Sequence, residues 1–386
     1  MEVQSVKTNE SEARLQSLIN ANQPQNRKKW AQSYKEEGKK VVGIIDHYIP
    51  EEIIEAAGML PFHVSGTWSS ITPLASVYRP ANTCRYCSHV LETILSGDVD
   101  FLDALIGTDW DDDTRRLVDV LQALGKPLVA PLVHVPHQAD ERAYRFFARV
   151  LRKDVVENLE AMGGVKITDS ALRAVVALYN EMRLLLRQVY EFRKREVPPL
   201  SGKEYLGLTT AAMVMPKRIY VEELRSLMAY IETRKCNVGN KKPRVLVASD
   251  RLDNPAYLDL IEEAGCLISM DDLDTGSRYF WKLVELDYSD PVYNLAKGYL
   301  NRLPCPRMFF WDKQVEQVIA WVKEFRIDGI IHFPQIYSYP RILLSPFFAE
   351  ALSKEGIPAT TVTREYHLSN VGQIRTRVQA FLEMLP

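Results

Sequence analysis

The first third of the chain alternates between strand-like and helix-like hydrophobic patterns. Lys40–Asp46 contains a continuous apolar run bounded by charge, which is typical of a strand buried on both faces. Pro50–Gly58 is a short helix with proline at its start and glycine at its end. Further strands are predicted at Met59–Val64, Val99–Ile106 and Lys126–Val133, with a helix over Asp111–Leu124. Strands that alternate with helices predict a parallel, doubly wound sheet.

The middle of the chain follows a helical period instead. Apolar residues recur there at three- and four-residue spacing, as expected of amphipathic helices that pack on a core. The helical stretches are 138–162, 168–195, 202–213 and 221–233. Thr168, Asp169 and Ser170 are N-cap candidates for the second stretch. We expect this block to form a helical layer or bridge.

Strand patterns return in the last third of the chain, at 244–249, 266–269, 307–311, 329–333 and 358–362. The sequence therefore predicts an α/β protein in which two doubly wound parallel-sheet domains flank a helical segment. The expected division is a helical N-terminal lead-in at 1–38, an α/β domain at 39–140, a helical bridging segment at 141–240 and a second α/β domain at 241–386. A cleft between two such domains, facing the carboxyl ends of their strands, is the expected ligand site.

Charge and hydropathy narrow the class of protein. The 386 residues carry 48 basic and 50 acidic side chains, a formal net charge of −2, and the two signs are interspersed. This balance gives no electrostatic reason to bind nucleic acid or an anionic membrane. No apolar run is long enough to span a bilayer, and the polar N-terminus lacks the apolar core of a signal peptide. We therefore expect a cytoplasmic protein.

The cysteines are few and odd in number, so a disulfide framework is not expected. Cys84 and Cys87 form a C-x-x-C just before a predicted helix, whose N-terminus is expected to lower the pKa of both thiols. Soft thiolates suit iron–sulfur clusters and zinc. No second C-x-x-C completes a four-thiolate site, and two partly buried structural cysteines remain the alternative interpretation.

An acidic segment and three histidines follow predicted strands. Asp109–Asp113 places four acids in five positions, which either bind a cation or favour the positive end of the following helix dipole. His134 and His137 end one strand, and His332 ends another in the second domain. Each is a candidate acid/base group near neutral pH, with a histidine satisfied in a turn as the alternative.

Other motifs are absent or point to structure. There is no G-x-G-x-x-G and no G-x-x-x-x-G-K-[ST], so no nucleotide-binding motif is indicated. Cys305 lies between two prolines in a rigid loop that is expected to face the cleft. Cys236, in the hydrophilic linker Lys235–Pro243, and Cys266, at the start of a strand, are expected to be structural.

Six segments carry a resemblance to a known family. They are PANTCRYCSHVLETILSGDVDFLDALI, DDDTRRLVDVLQALGKP, SALRAVVALYNEMRLLLRQVYEFRK, RLPCPRMFF, IDGIIHF and VGQIRTRVQAFLEML. With them the chain resembles the 2-hydroxyacyl-CoA dehydratases and ATP-dependent benzoyl-CoA reductases over nearly its whole length. HVPHQADERAYRFF and LSGKEYLGLTTAAMVMP are most similar to the benzoyl-CoA reductase branch, and the length suits the smaller of its core subunits.

The resemblance implies partners and a cofactor. It implies a homologous core subunit and a separate ATP-hydrolysing iron–sulfur activator supplied by ferredoxin. Each core subunit of the family usually holds a 4Fe-4S cluster through three cysteines. Cys84 matches the first position, but Trp110 and Pro334 stand at the other two. The resemblance leaves Cys87 and Cys305 as replacement ligands, or the cluster in the sister subunit.

The function implied by the resemblance is that of a core subunit of a ferredoxin-linked benzoyl-CoA reductase, which reduces an aromatic acyl-CoA ring by two electrons. Two alternatives remain open at this point. One is a subunit of a 2-hydroxyacyl-CoA dehydratase. The other is a non-catalytic paralogous subunit that completes the interface of a sister subunit, which then holds the cluster.

Overall fold

A computed structural model describes residues 2–235 and 242–385. Within these residues, seven strands form two sheets in which every strand pair is parallel. The first sheet contains β1 (Val41–Ile44), β2 (Leu60–His63) and β3 (Ala104–Ile106). The second contains β4 (Arg244–Ala248), β5 (Leu267–Asp272), β6 (Gly329–His332) and β7 (Ala359–Thr361). The predicted α/β class with two parallel sheets is confirmed.

The two sheets share one topology. Their strand orders are β2-β1-β3 and β5-β4-β6-β7. In each sheet the chain moves from the first strand to one neighbour and then crosses to the other side of that first strand. The winding therefore reverses between β1 and β3 and between β4 and β6. Such reversals open a crevice at the carboxyl ends of the strands, where α/β proteins bind ligands.

Helices cover the sheets and join them. Those in the first third of the chain are α1 (Glu2–Ile19), α2 (Lys29–Glu36), α3 (Glu51–Ala56), α4 (Arg85–Leu95) and α5 (Asp112–Ala123). The middle block consists of α6 (Glu141–Val150), α7 (Glu157–Gly163), α8 (Asp169–Glu191), α9 (Gly202–Ala211) and α10 (Lys217–Thr233). The last part adds α11 (Ala256–Glu263), α12 (Ser277–Phe280), α13 (Pro291–Leu300), α14 (Asp312–Glu324), α15 (Tyr339–Lys354) and α16 (Val371–Leu382). None of these helices is long and apolar enough to cross a membrane.

Side-chain caps fix the starts of several helices. Thr168 caps α8, as predicted, by accepting a hydrogen bond from the backbone N–H of Ala171. Asp111 caps α5 in the same way by accepting from Thr114 N. This confirms a capping role for one member of the acidic segment. A side-chain cap satisfies an orphan N–H of the first turn and stabilises a helix by about 1 kcal/mol.

Two predicted strands are wrong. Lys126–Val133 makes only isolated parallel bridges to the first sheet, at Leu128 and Val133. Pro127 and Pro131 interrupt it because proline donates no ladder hydrogen bond. The segment 307–311 consists of turns, since its apolar side chains separate: Met308 enters the core whereas Phe309 is 76% exposed.

A buried ion pair ties the two halves of the chain together. Lys217 at the start of α10 donates to Glu51 Oε2 at 2.9 Å and to the hydroxyl of Tyr279 at 3.0 Å. His63 Nε2 lies 2.9 Å from Glu51 Oε1. Burial lowers the pKa of His63 to about 4, so the imidazole is neutral and donates to this carboxylate. Glu51, Lys217 and Tyr279 come from the first sheet region, the middle block and the second half, and all are buried. This contact fixes how the two sheets face each other.

Candidate functional site

The two crevices meet in one interdomain cavity. Its walls come from the segments that follow β1, β3, β4, β5 and β6, together with the starts of α4 and α5 and the loop before α14. The lining residues are Ile45, Asp46, His47, Cys84, Tyr86, Cys87, Trp110, Asp111, Thr114, Asp250, Arg251, Asp274, Arg307, Gln335 and Ser338. The expected ligand site is therefore built from both sheets.

Cys84 and Cys87 lie side by side in this wall. Cys84 stands directly before α4, its backbone N–H donates to Asp113 Oδ1 at 3.1 Å, and its Sγ accepts from Gln335 Nε2 at 3.5 Å. Cys87, one turn on, lies with Sγ 3.9 Å from Thr114 Oγ1. Its hydrogen bond with Cys84 and its burial raise the pKa of Cys87 well above the usual thiol value. The expectation of a lowered pKa is wrong for Cys87, because at this buried position the helix N-terminus does not offset these two effects.

Trp110 and Arg307 fill the centre of the cavity. The indole N–H of Trp110 donates to Thr114 Oγ1 at 3.1 Å, and the guanidinium of Arg307 stacks over the indole with its carbon 4.3 Å from the ring centroid. Arg307 also pairs with Asp111 at 2.6 Å and with Asp250 at 3.6 Å. All of these side chains are largely buried. The single positive charge of Arg307 is shared between these two carboxylates, and Asp250 also pairs with Arg341 at 3.4 Å.

Acidic and basic groups alternate around this stack. Asp46 accepts hydrogen bonds from Thr108 N at 2.8 Å and Tyr48 N at 3.1 Å, yet its burial raises the pKa of Asp46 to about 7. His47 Nε2 lies 3.2 Å from Asp274. Burial favours the neutral form of Asp274, but Arg278 and His47 outweigh burial and hold the pKa of Asp274 well below its usual range. The acidic side chains of the cavity are therefore engaged by basic side chains or by backbone N–H groups.

The remaining cysteines lie elsewhere. Cys305 is buried with its Sγ 3.7 Å from the hydroxyl of Tyr48, and burial raises its pKa. It does not line the cavity. Cys266 donates its thiol proton to the carbonyl of Ile261 at 3.2 Å, consistent with a structural residue. Cys236 lies outside the described residues.

The residues at the cavity do not fit a cubane cluster. The cavity has a volume of about 20 Å³. A single water needs about 10–15 Å³, so there is space for a water and not for a cluster. Trp110 occupies one family ligand position, and Gln335, next to Pro334 at another, hydrogen-bonds the thiol of Cys84. Within residues 2–235 and 242–385, no three Cys, His, Asp or Glu side chains form a metal-binding group.

The three histidines have three different surroundings. His134 lies on the surface with Nδ1 2.6 Å from Asp109 Oδ2. His137 lines a separate surface groove. His332 is buried at the end of β6 against the ring of Phe348, and burial lowers its pKa to about 3. The structure does not bring these side chains to one place, and their acid/base role stays a prediction.

Sequence reasoning missed most of the charged cavity residues. The sequence patterns do not single out His47, Asp250, Arg251 or Arg307. Position along the chain is the signal that identifies some of them, because polar residues stand directly after the apolar runs of β1 and β4. A charged side chain at that place in a parallel sheet points to the crevice.

Comparisons with known proteins agree with the fold. The family model described as 2-hydroxyglutaryl-CoA dehydratase, D-component, matches residues 47–385. The chain is 29% identical over 371 residues to the (R)-phenyllactyl-CoA dehydratase beta subunit of Clostridium sporogenes, covering 94% of this chain and 96% of the relative. It is 25% identical over 357 residues to the C subunit of benzoyl-CoA reductase from Thauera aromatica, covering 90% and 91%. It is 27% identical over 363 residues to the beta subunit of lactoyl-CoA dehydratase from Anaerotignum propionicum, covering 93% and 96%.

The resemblance carried by the six sequence segments is thereby confirmed at the level of the family. The match of the family model spans most of the chain, and each relative named here is aligned over nearly its whole length. The chain belongs to the 2-hydroxyglutaryl-CoA dehydratase D-component family, which includes subunits of acyl-CoA dehydratases and of benzoyl-CoA reductase.

Proposed function

We propose that this chain is a core subunit of a hetero-oligomeric enzyme that acts on a CoA thioester, and that it serves there as the partner of a homologous subunit that carries the cluster. Its relatives are named as beta or C subunits, which supports an assembly of unlike chains. The ATP-hydrolysing activator and its ferredoxin donor would then deliver electrons to the sister subunit.

The cavity supports the second part of this proposal, namely that the homologous subunit carries the cluster. Where the family places a cluster, this chain has the stack of Trp110 and Arg307, ion-paired to Asp111 and Asp250. To admit a cluster, the protein would have to break these pairs, which leaves Asp111 buried without an ion-pair partner and Asp250 with Arg341 alone. Breaking a buried pair costs about 3–5 kcal/mol. The stack is therefore better suited to holding the two domains together than to receiving a cofactor.

The chemistry of the complex has two candidates. The motifs in 134–147 and 200–216 favour reduction of an aromatic acyl-CoA ring. The 29% identity to a phenyllactyl-CoA dehydratase subunit favours dehydration of a 2-hydroxyacyl-CoA. Both reactions act on a CoA thioester. Anaerobic assays of the complex with benzoyl-CoA and with (R)-phenyllactyl-CoA, each with ATP and a low-potential donor, distinguish them by product.

Iron analysis tests the role of the chain. The complex is purified anaerobically with wild-type chain, with Cys84→Ser and with Cys266→Ser as the control for a buried cysteine outside the cavity. We expect the same iron and sulfide content in all three. Loss of iron in Cys84→Ser alone would show that this chain holds a cluster, and Cys84, Cys87 and Cys305 would then be the ligands to test further.

A further inference from the structure

A broad groove lies on the surface beside the interdomain cavity. Its volume is about 1060 Å³, and it runs between α6 and the start of α13. One wall carries four arginines at spacings of three, four and three residues, which places them along one helical face. They are Arg142, Arg145, Arg149 and Arg152.

Two of these arginines have acidic partners and two do not. Arg145 pairs with Glu141 at 2.6 Å, and Arg152 pairs with Asp290, the cap of α13. Arg142 and Arg149 form no ion pair with any residue the structure describes. Asp140 is engaged as the cap of α6. The groove therefore presents two uncompensated guanidinium groups.

Exposed aromatic rings complete the groove. Phe309 is 76% exposed and Phe146 is 41% exposed, and both line it. Large apolar side chains are usually buried, so two exposed rings beside free guanidinium groups are characteristic of a binding surface. Flat rings stack on nucleobases, and guanidinium groups bind phosphate with two parallel hydrogen bonds.

The helix that carries the arginines is also irregular. The turn Leu151–Val156 is π-helical and joins α6 to α7. Wide turns of this kind interrupt the regular hydrogen bonding of an α-helix and occur frequently at functional sites. Arg152 lies in this turn.

The groove is next to the cavity along the chain. Phe309 N donates to the carbonyl of His137 at 3.0 Å, which fixes the loop before α14 to the end of the first domain. Arg307, two residues earlier, stands in the cavity. Two residues span at most about 7 Å, so the groove lies close to the wall of the cavity.

We propose that this groove binds the 3′-phospho-ADP end of coenzyme A. This inference rests on the proposed function, because it takes the CoA thioester as the substrate class of the complex. The 3′-phosphate and the diphosphate complement Arg142 and Arg149, and the adenine stacks on Phe309. An acidic protein segment would satisfy the arginines equally but has no use for the exposed ring, so the nucleotide is the occupant that the groove fits.

Titration calorimetry with adenosine 3′,5′-bisphosphate and with CoA tests this assignment on the full-length chain. The variant is Arg142→Gln/Arg149→Gln, and the control is Arg115→Gln, an exposed arginine of α5 outside the groove. We expect the double variant to bind both probes at least tenfold more weakly and the control to bind like wild type. Phe309→Ala should weaken CoA binding as well.

Two results would overturn the assignment. One is equal affinity in the double variant and the wild type, or no binding by either. The other is unchanged CoA binding together with loss of a subunit from the purified complex, which would make the arginines a protein-docking surface. The test needs neither iron nor turnover. A complex that is inactive on CoA thioesters but still binds CoA here would contradict the proposed function alone.

Discussion

The interdomain cavity and the α6 groove use the same side chain in opposite ways. Arg307 is buried, stacked on an indole and paired with two carboxylates. Arg149 is exposed and forms no ion pair within the described residues. The comparison teaches that the arginine in the cavity is engaged by carboxylates of this chain, whereas the neighbouring surface carries guanidinium groups that no described carboxylate pairs with.

Removing Arg307 should have the largest effect. Arg307→Met leaves Asp111 without an ion-pair partner and Asp250 with Arg341 alone, so we expect the free energy of unfolding in urea titrations to fall by about 3–5 kcal/mol. Arg116→Met is a matched control, because Arg116 also contacts two aspartates, at 2.6 Å and 3.5 Å, but on the surface. That change should cost less than about 1 kcal/mol. Equal losses in the two variants would contradict the contrast between the two regions.

The buried carboxyl of Asp46 should make stability depend on pH. Its pKa is raised to about 7 in the folded chain, from an ordinary value of 3.8. Between these two values the unfolded chain has lost this proton and the folded chain keeps it, so stability falls as pH rises. We expect this group to lower the free energy of unfolding by about 1.4 kcal/mol per pH unit from about pH 4 to pH 7. Above pH 7 it causes no further change with pH.

Asp46→Asn removes that titration and should flatten the slope over this pH range. Urea midpoints measured at several pH values compare the two chains. A slope that is the same in both would mean that Asp46 is ionised in the folded protein at acidic pH.

Trp110→Phe should have a smaller effect. It removes the hydrogen bond to Thr114 and leaves that buried hydroxyl with one partner fewer, while a ring remains for Arg307 to stack on. We expect a loss of about 1–2 kcal/mol in unfolding free energy. If the unfolding free energy falls as much as in Arg307→Met, the indole contributes as much to the stability of this region as the ion pairs do.

The smallest effect is expected at the surface pair of His134 and Asp109. The imidazole side chain is 56% exposed, so water competes with the carboxylate. His134→Ala should change the unfolding free energy by less than about 1 kcal/mol. A larger loss of unfolding free energy would contradict this expectation, and a loss of activity in the complex would support a functional role for His134.

The sequence predicts the buried parallel strands well because their pattern is local. The apolar runs of β1 and β4 each predict a strand from their own residues, without knowledge of what packs against them. The family motifs likewise identify the type of protein. Cys84 lies in the wall of the cavity, and its role as a cluster ligand stays a prediction.

What the sequence does not reveal depends on distant partners. Arg307 belongs to an apolar stretch that resembles a strand, and only the positions of Asp111 and Asp250 explain why it is buried. The C-x-x-C predicts reactive thiols, yet contact with Cys84 and burial raise the pKa of Cys87. The arginines of α6 have ordinary helical spacing, and only the folded chain shows that they share a groove with Phe309 from a distant segment.

The buried contact between Lys217 and Glu51 also constrains the order in which the chain folds. Its atoms come from residues 166 positions apart, and the hydroxyl of Tyr279 that donates to Glu51 lies 228 positions from it. Contacts between such distant residues form late, since a long loop must close first. During synthesis, His63 of the first sheet is the only one of these three partners of Glu51 that emerges with it. We therefore expect Lys217 and Tyr279 to complete the contact with Glu51 late in folding.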